Sequence, residues 1–292
     1  MNWKQIVAVG SVMVVMGYLY MQPVKGLIKP PEGRASAGAA QVAEARPIAK
    51  VTVQAVSEPA KAAIGGGLSV KINELEAQLK KASSAQAKLD LQKQLAQQWD
   101  AVNQPAPAAF YYQEVAQSSN TFNDWLSAGN RFNDAFKFSQ DTTVQPAFVV
   151  NAIQAFKKAR ALDEKNMDAE SGLGIAYVNQ TSLGMPDPEG GSPMQGIQLL
   201  LDVVGKDPSN RNANLNLGQF AMKSGQYQKA VDRFKKMIAQ KPELEPYFYL
   251  AESYKQLGMK AEAIDAYEKC KDLMPDQVFQ QRINEYIKEL KN

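Results

Sequence analysis

Read for its apolar positions, the C-terminal third of the chain repeats itself. Leu217-Gly218, Gly225, Ala230-Val231, Phe234 and Pro242 are matched by Leu250-Ala251, Gly258, Ala263-Ile264, Tyr267 and Pro275, each 33 residues later. Within each set the apolar residues recur at spacings of three and four, which puts them on one face of a helix. Gly225 and Gly258 stand where a first helix must end in a residue that tolerates positive φ. Pro242 and Pro275 close a second helix. The pattern predicts pairs of antiparallel helices, A and B. Such a pair cannot bury its apolar face alone, so the pairs must stack. Small residues at Gly218, Ala251, Ala230 and Ala263 let neighbouring backbones approach, and Tyr254, Phe234 and Tyr267 fill the space beside them.

The register continues towards the N-terminus. Gly196-Ile197, Leu200 and Val203 read as a helix B whose helix A, at Leu173-Gly174 and Tyr177, arrives ten residues early. Ala152-Ile153, Phe156 and Ala159 read as another, with Trp125, Ala128-Gly129 and Phe132 displaced by eleven. A weaker pair fits at Leu95-Ala96, Trp99 and Asn103, followed by Ala108, Tyr112 and Val115. Both insertions fall between helix A and helix B, and from Ser182 to Pro193 the residues are all turn formers. They predict loops projecting from one edge of the stack, either as a partner-contacting rim or as tolerated surface loops. Val278, Ile283, Tyr286-Ile287 and Leu290 predict a final helix that caps the open apolar end.

At these residues the chain resembles the tetratricopeptide repeat (TPR) family, in its membrane-anchored bacterial form. The resemblance implies an all-α, right-handed solenoid of helical hairpins. About five repeats are expected, at 87–120, 121–165, 166–209, 210–242 and 243–275, with a capping helix over 276–292. It also implies a surface for holding another protein or peptide, without chemistry of its own. The A-helix faces opposite the packing residues supply the candidate groove: Asn130, Asn133, Asn179, Asn212, Gln219, Lys223, Phe248, Glu252 and Lys255. Amides with a few apolar spots suit an extended peptide backbone or a partner helix. The family's clamp for acidic peptide C-termini asks for Lys and Arg at several groove positions, and only Lys223 and Lys255 stand there.

The front of the chain is different material. Ile6 to Met21 are sixteen uncharged, mostly apolar residues, and extending the run from Trp3 to Gln22 brings it to the roughly 20 residues of a membrane span. Trp3, Tyr18 and Tyr20 take interfacial positions. A cleaved signal peptide is the rival reading. However, the nearest small-residue cleavage sites, around Ala35 to Ala40, lie well beyond the apolar run, with prolines between. Residues 1–22 are therefore expected as an uncleaved, single-pass anchor in the inner (cell) membrane, with the repeats on the periplasmic side. Residues 23–67, rich in Ala, Pro and Gly, are expected as a flexible tether. Up to residue 67 there are 7 Lys+Arg and 3 Asp+Glu, a balance of +4, so the chain's net +3 belongs to anchor and tether. That favours topology and lipid contact over nucleic acid as its meaning. Ile72, Leu75, Leu79 and Ala82 then space as coiled-coil core positions. They make 68–86 either a short self-associating coiled coil or a helical extension packed on the first repeat.

Chemistry is conspicuous by its absence. The chain has no histidine, and its single cysteine, Cys270, falls in a small-residue packing slot. No phosphate loop, metal-ligand spacing or nucleophile–base set is present, so neither cofactor, metal nor enzymatic activity is implied. The sequence thus points to a membrane-tethered adaptor or scaffold for an envelope protein. The alternative is a structural component that associates with itself.

Overall fold

Local chemistry sets where the helices start and stop. Thr52, Ser84, Thr121, Asn166 and Asn210 stand in non-helical backbone, and each accepts a hydrogen bond from an amide two or three residues on. These caps satisfy donors that the first helical turn leaves open. Gly225 and Gly258, at φ 73° and 74°, end two of the helices in the left-handed region that glycine adopts without strain.

A computed structural model describes residues 50–185 and 193–291. Among them are twelve helices and no strand: α1 (Val53–Lys81), α2 (Ala85–Ala101), α3 (Pro105–Ser119), α4 (Phe122–Phe138), α5 (Gln145–Leu162), α6 (Met167–Ser182), α7 (Pro193–Lys206), α8 (Arg211–Lys223), α9 (Tyr227–Gln240), α10 (Leu244–Gln256), α11 (Lys260–Leu273) and α12 (Gln277–Lys291). Five hairpins, α2/α3 to α10/α11, follow one another, and α12 closes the series. Packing runs mainly between successive helices, which is the economy of a solenoid.

The core lies between the stacked hairpins. Trp99, Phe156, Phe234 and Tyr267, one from each of four different hairpins, are fully buried. Burying a side chain of that size stabilises by about 1.5–3 kcal/mol. Two of these rings, Phe156 and Phe234, fit because glycine faces them. A Cβ on Gly172 would meet the Phe156 ring at 2.2 Å, and one on Gly218 would meet Phe234 at 2.5 Å. Ile283, Ile287 and Leu290 of α12 are buried against the last hairpin. Val278 is not part of that face. It is 68% exposed.

Two stretches differ from expectation for physical reasons. The segment 53–67, expected as tether, is helical and folds back on the rest of α1. Gly65 breaks the helix at φ 79°, ψ 167°, a conformation open essentially to glycine alone. Lys61 then pairs with Glu76 at 2.9 Å, fifteen residues away, so the two arms lie side by side. Val56 packs with Ala109 and Phe110 of α3, while Ile72 and Leu75 join Leu95, Ala96 and Trp99 of α2. The apolar seam at 72–82 is thus used within the chain, as a packed extension. In the second hairpin the expected projecting loop is largely absorbed into helix. There α4 and α5 have 17 and 18 residues, against 13 and 14 in α8 and α9, which leaves only 139–144 between them. The expected anchor at 1–22, most of the expected tether and part of the other insertion lie outside the described residues. No helix among the described residues is long and apolar enough to cross a membrane.

Candidate functional site

The A helices of the second, third and fourth hairpins face a common cavity of about 560 Å³. α4 contributes Asn130 and Asn133, α6 contributes Asn179, and α8 contributes Asn212, Gln219 and Lys223. Six of the nine candidate residues therefore line one cavity. Some are already engaged. Asn133 Nδ2 donates to the Gly172 carbonyl at 3.0 Å, and Asn212 Nδ2 reaches Ser171 Oγ at 3.5 Å. Asn179 is 6% exposed, so it is more wall than surface. By contrast, Asn133 Oδ1 is buried and accepts no hydrogen bond among the described residues.

Phe248, Glu252 and Lys255 do not join this amide-lined half. Phe248 faces a second cavity of about 680 Å³, with Leu244, Tyr249, Phe279, Arg282, Ile283 and Tyr286. Glu252 accepts a hydrogen bond from the Tyr267 hydroxyl. Burial and this carboxylate together push the Tyr267 phenol up. Lys255 Nζ sits 3.4 Å from Glu289 and 5.8 Å above the Tyr286 ring. Glu252 and Lys255 are thus tied into the join between α10, α11 and α12.

A line of charge separates the two halves. Arg211 and Glu245 border both cavities. Arg211 pairs with Glu243 and, at 3.2 Å, with Glu245, while Lys241 also holds Glu243 at 2.7 Å. Lys241 and Arg211 hold the Glu243 carboxyl below the usual range. Lys137, in the last turn of α4, reaches Glu245 at 3.6 Å. That contact joins the second hairpin to the fifth, so the array curls until its A helices face one another. The extra turn that lengthens α4 is what carries Lys137 there.

Arg211, Glu243, Glu245, Phe279 and Arg282 are groove residues that the repeating pattern does not reveal. Arg211, Glu243 and Glu245 sit at helix starts, outside the repeating face. Phe279, Arg282, Ile283 and Tyr286 do carry a signal, the helical spacing of three, four and seven. In the sequence, however, Tyr286 and Ile283 read for capping alone.

Nothing in either cavity forms a nucleophile–base pair. Cys270 is fully buried, and burial pushes its thiol up to about 12, where it is inert. No cluster of His, Cys, Asp or Glu able to hold a metal ion is found among the described residues.

Known proteins were compared with this arrangement. The tetratricopeptide repeat model matches residues 245–277, which are α10, α11 and the link to α12. The fold is similar to that of a thermophilic TPR protein of Thermus thermophilus, at 19% identity and a TM-score of 0.53, covering 68% of this chain and 97% of that one. It is similar to PilW, a widely conserved type IV pilus biogenesis factor, at 17% identity and 0.51, covering 69% and 85%. It is also similar to a chain of the APC/C hetero-tetramer Cut9–Hcn1, at 16% identity and 0.51, covering 75% and 39%. No curated protein matches in sequence. At these identities the likeness is one of fold.

Proposed function

Because the chain is a tetratricopeptide-repeat protein, we propose that it is a membrane-tethered adaptor whose groove holds an extended segment of a partner protein. The observation that carries this reading is the amide-lined cavity. Side chains from three successive A helices converge on it. Backbone amides of an extended peptide offer donors and acceptors alternately, which is the chemistry that such a wall satisfies. The membrane part of the reading rests on the apolar run within residues 1–22, and the periplasmic side and the envelope partner are proposed with it. The self-association alternative loses its main support, since Ile72 and Leu75 are spent on α2.

Site-specific photo-crosslinking in membranes tests the proposal. A crosslinker at Asn130 or Lys223, both on the groove, is expected to give one discrete adduct with another protein. One at Lys235, on the outer B-helix side, is expected to give none. The adduct is expected to weaken when Asn212→Ala and Gln219→Ala are combined. Equal adducts from both faces, or none from the groove, would overturn it.

A further inference from the structure

The second cavity has a composition unlike the first, and nothing in the adaptor reading requires it. Phe248 and Tyr249 of α10 and Phe279 and Tyr286 of α12 are all half-buried and turn toward about 680 Å³ of space. Leu244 and Ile283 complete an apolar wall. This is the size and make-up of a ligand pocket, mostly apolar with a few polar groups at the edge. The rings brace one another, Phe248 lying 5.9 Å from Tyr249 edge-to-face and 6.2 Å from Tyr286. The wall is therefore preformed, and an entering group meets it without collapse.

The cavity is bordered by two guanidiniums, Arg211 and Arg282, and two carboxylates, Glu243 and Glu245, and the carboxylates are already committed. Glu243 and Glu245 both pair with Arg211, and Lys241 and Lys137 reach them from outside the cavity. Arg282, exposed at the opposite edge on α12, has no ion-pair partner among the described residues. A guanidinium in that position accepts a carboxylate in two parallel hydrogen bonds. A cationic ligand would meet repulsion there, while a purely apolar one would leave Arg282 unused. The cavity adjoins the amide-lined half, with Arg211 and Glu245 on the border of both. One chain can therefore lay its backbone along the amides and end in the aromatic pocket.

From these observations we propose that the cavity between α10 and α12 is a subsite for a peptide segment carrying a large apolar side chain next to a carboxylate. The apolar side chain enters between Phe248, Phe279 and Tyr286, and the carboxylate meets Arg282. This rests on the reading of the groove as a peptide site and adds the chemistry of the partner. The capping helix thereby becomes part of the binding surface as well as the end of the fold.

The test uses the full chain in detergent micelles and fluorescein-labelled Gly-Ser peptides bearing Phe-Asp, Phe-Asn or Ala-Asp at the centre. Fluorescence anisotropy is expected to give about ten-fold tighter binding for Phe-Asp than for either other peptide, the gain of one charge-assisted pair or one buried ring. Arg282→Gln, an exposed substitution that leaves the fold intact, is expected to erase the preference for Phe-Asp over Phe-Asn. Phe279→Ala is expected to erase the preference over Ala-Asp. Equal binding of all three peptides would overturn the proposal, as would a preference that survives Arg282→Gln. So would a photo-crosslinker at Phe279 that captures a second copy of this chain in place of peptide. Loss of the peptide preferences with groove adducts intact removes the subsite alone. Peptide preferences intact without groove adducts remove the adaptor reading alone.

Discussion

Cys270 occupies the slot that Met237 fills one repeat earlier, and both are buried. Its Sγ lies 3.9 Å from the Leu244 carbonyl, and burial raises the thiol from the ordinary 9.0 to about 12. The unfolded chain loses this proton near the ordinary value, while the folded chain keeps it. Between about pH 9 and pH 12 the unfolded state is therefore favoured, and the group's contribution to stability is lost as pH rises. Below pH 9 the contribution is complete and flat. Urea unfolding of the protein and of Cys270→Ala should differ in slope over that window, by up to about 1.4 kcal/mol per pH unit. Parallel curves would mean that the thiol reaches water in the folded state. That Cys270 lies on a packing face was legible because the offset of 33 ties it to a repeating face, although the matching residue, Met237, is large. Its titration was not, since that depends on how completely α10 and α12 cover it.

At the scale of elements, what could be read followed from how regular each hairpin is. α8/α9 and α10/α11 have the same helix lengths, so their apolar residues superpose and their glycines mark the same turn. In α4/α5 the paired small and large residues survive, but no residue marks where 135–138 stop being helix. Added length therefore read as loop. The first arm of α1 buries only Val56, Ser57 and Ala60, too few positions among alanines and glycines to define a face. Its hinge makes a sharp prediction. Gly65 and Gly66 both have open space around a built Cβ, but only Gly65 has positive φ. Gly65→Ala should cost about 1–3 kcal/mol of strain, whereas Gly66→Ala should be neutral or slightly stabilising. Because the arm holds few buried residues, that strain should release the arm and leave the array folded. Hydrogen exchange should lose protection over 53–64 in Gly65→Ala and keep it elsewhere. Equal effects of the two substitutions would mean that the reversal at Gly65 is not what holds the arm. The groove divides along the same line. Its amides lie at fixed offsets from the packing face and could be read, whereas its aromatic half exists only once α12 is laid against α10.

Over the whole molecule, two features pull cooperativity in opposite directions. Stacked hairpins touch chiefly their neighbours, so each should stand or fall with the interfaces beside it. The Lys137–Glu245 pair instead links the second hairpin directly to the fifth. Magnitudes decide between them. The pair is about half exposed on the lysine side and is worth at most about 1 kcal/mol. The cap buries Ile283, Ile287 and Leu290 together with Tyr267 and Cys270, each large side chain worth about 1.5–3 kcal/mol. Nearest-neighbour contact should therefore dominate, and the end of the array should depend on α12. Ending the chain at Asp276 should lower the unfolding temperature by several degrees, on the order of 1 kcal/mol or more of net stability after the entropy of ordering α12 is returned. Hydrogen exchange should show where that loss falls. Protection should collapse across 244–273, fade through 211–240 and remain intact over 85–162. A uniform loss along the chain would instead mean that closure through Lys137 and Glu245 makes the array a single cooperative unit. The groove would then open and close as one body, and a partner held in its amide half would feel every change at the cap.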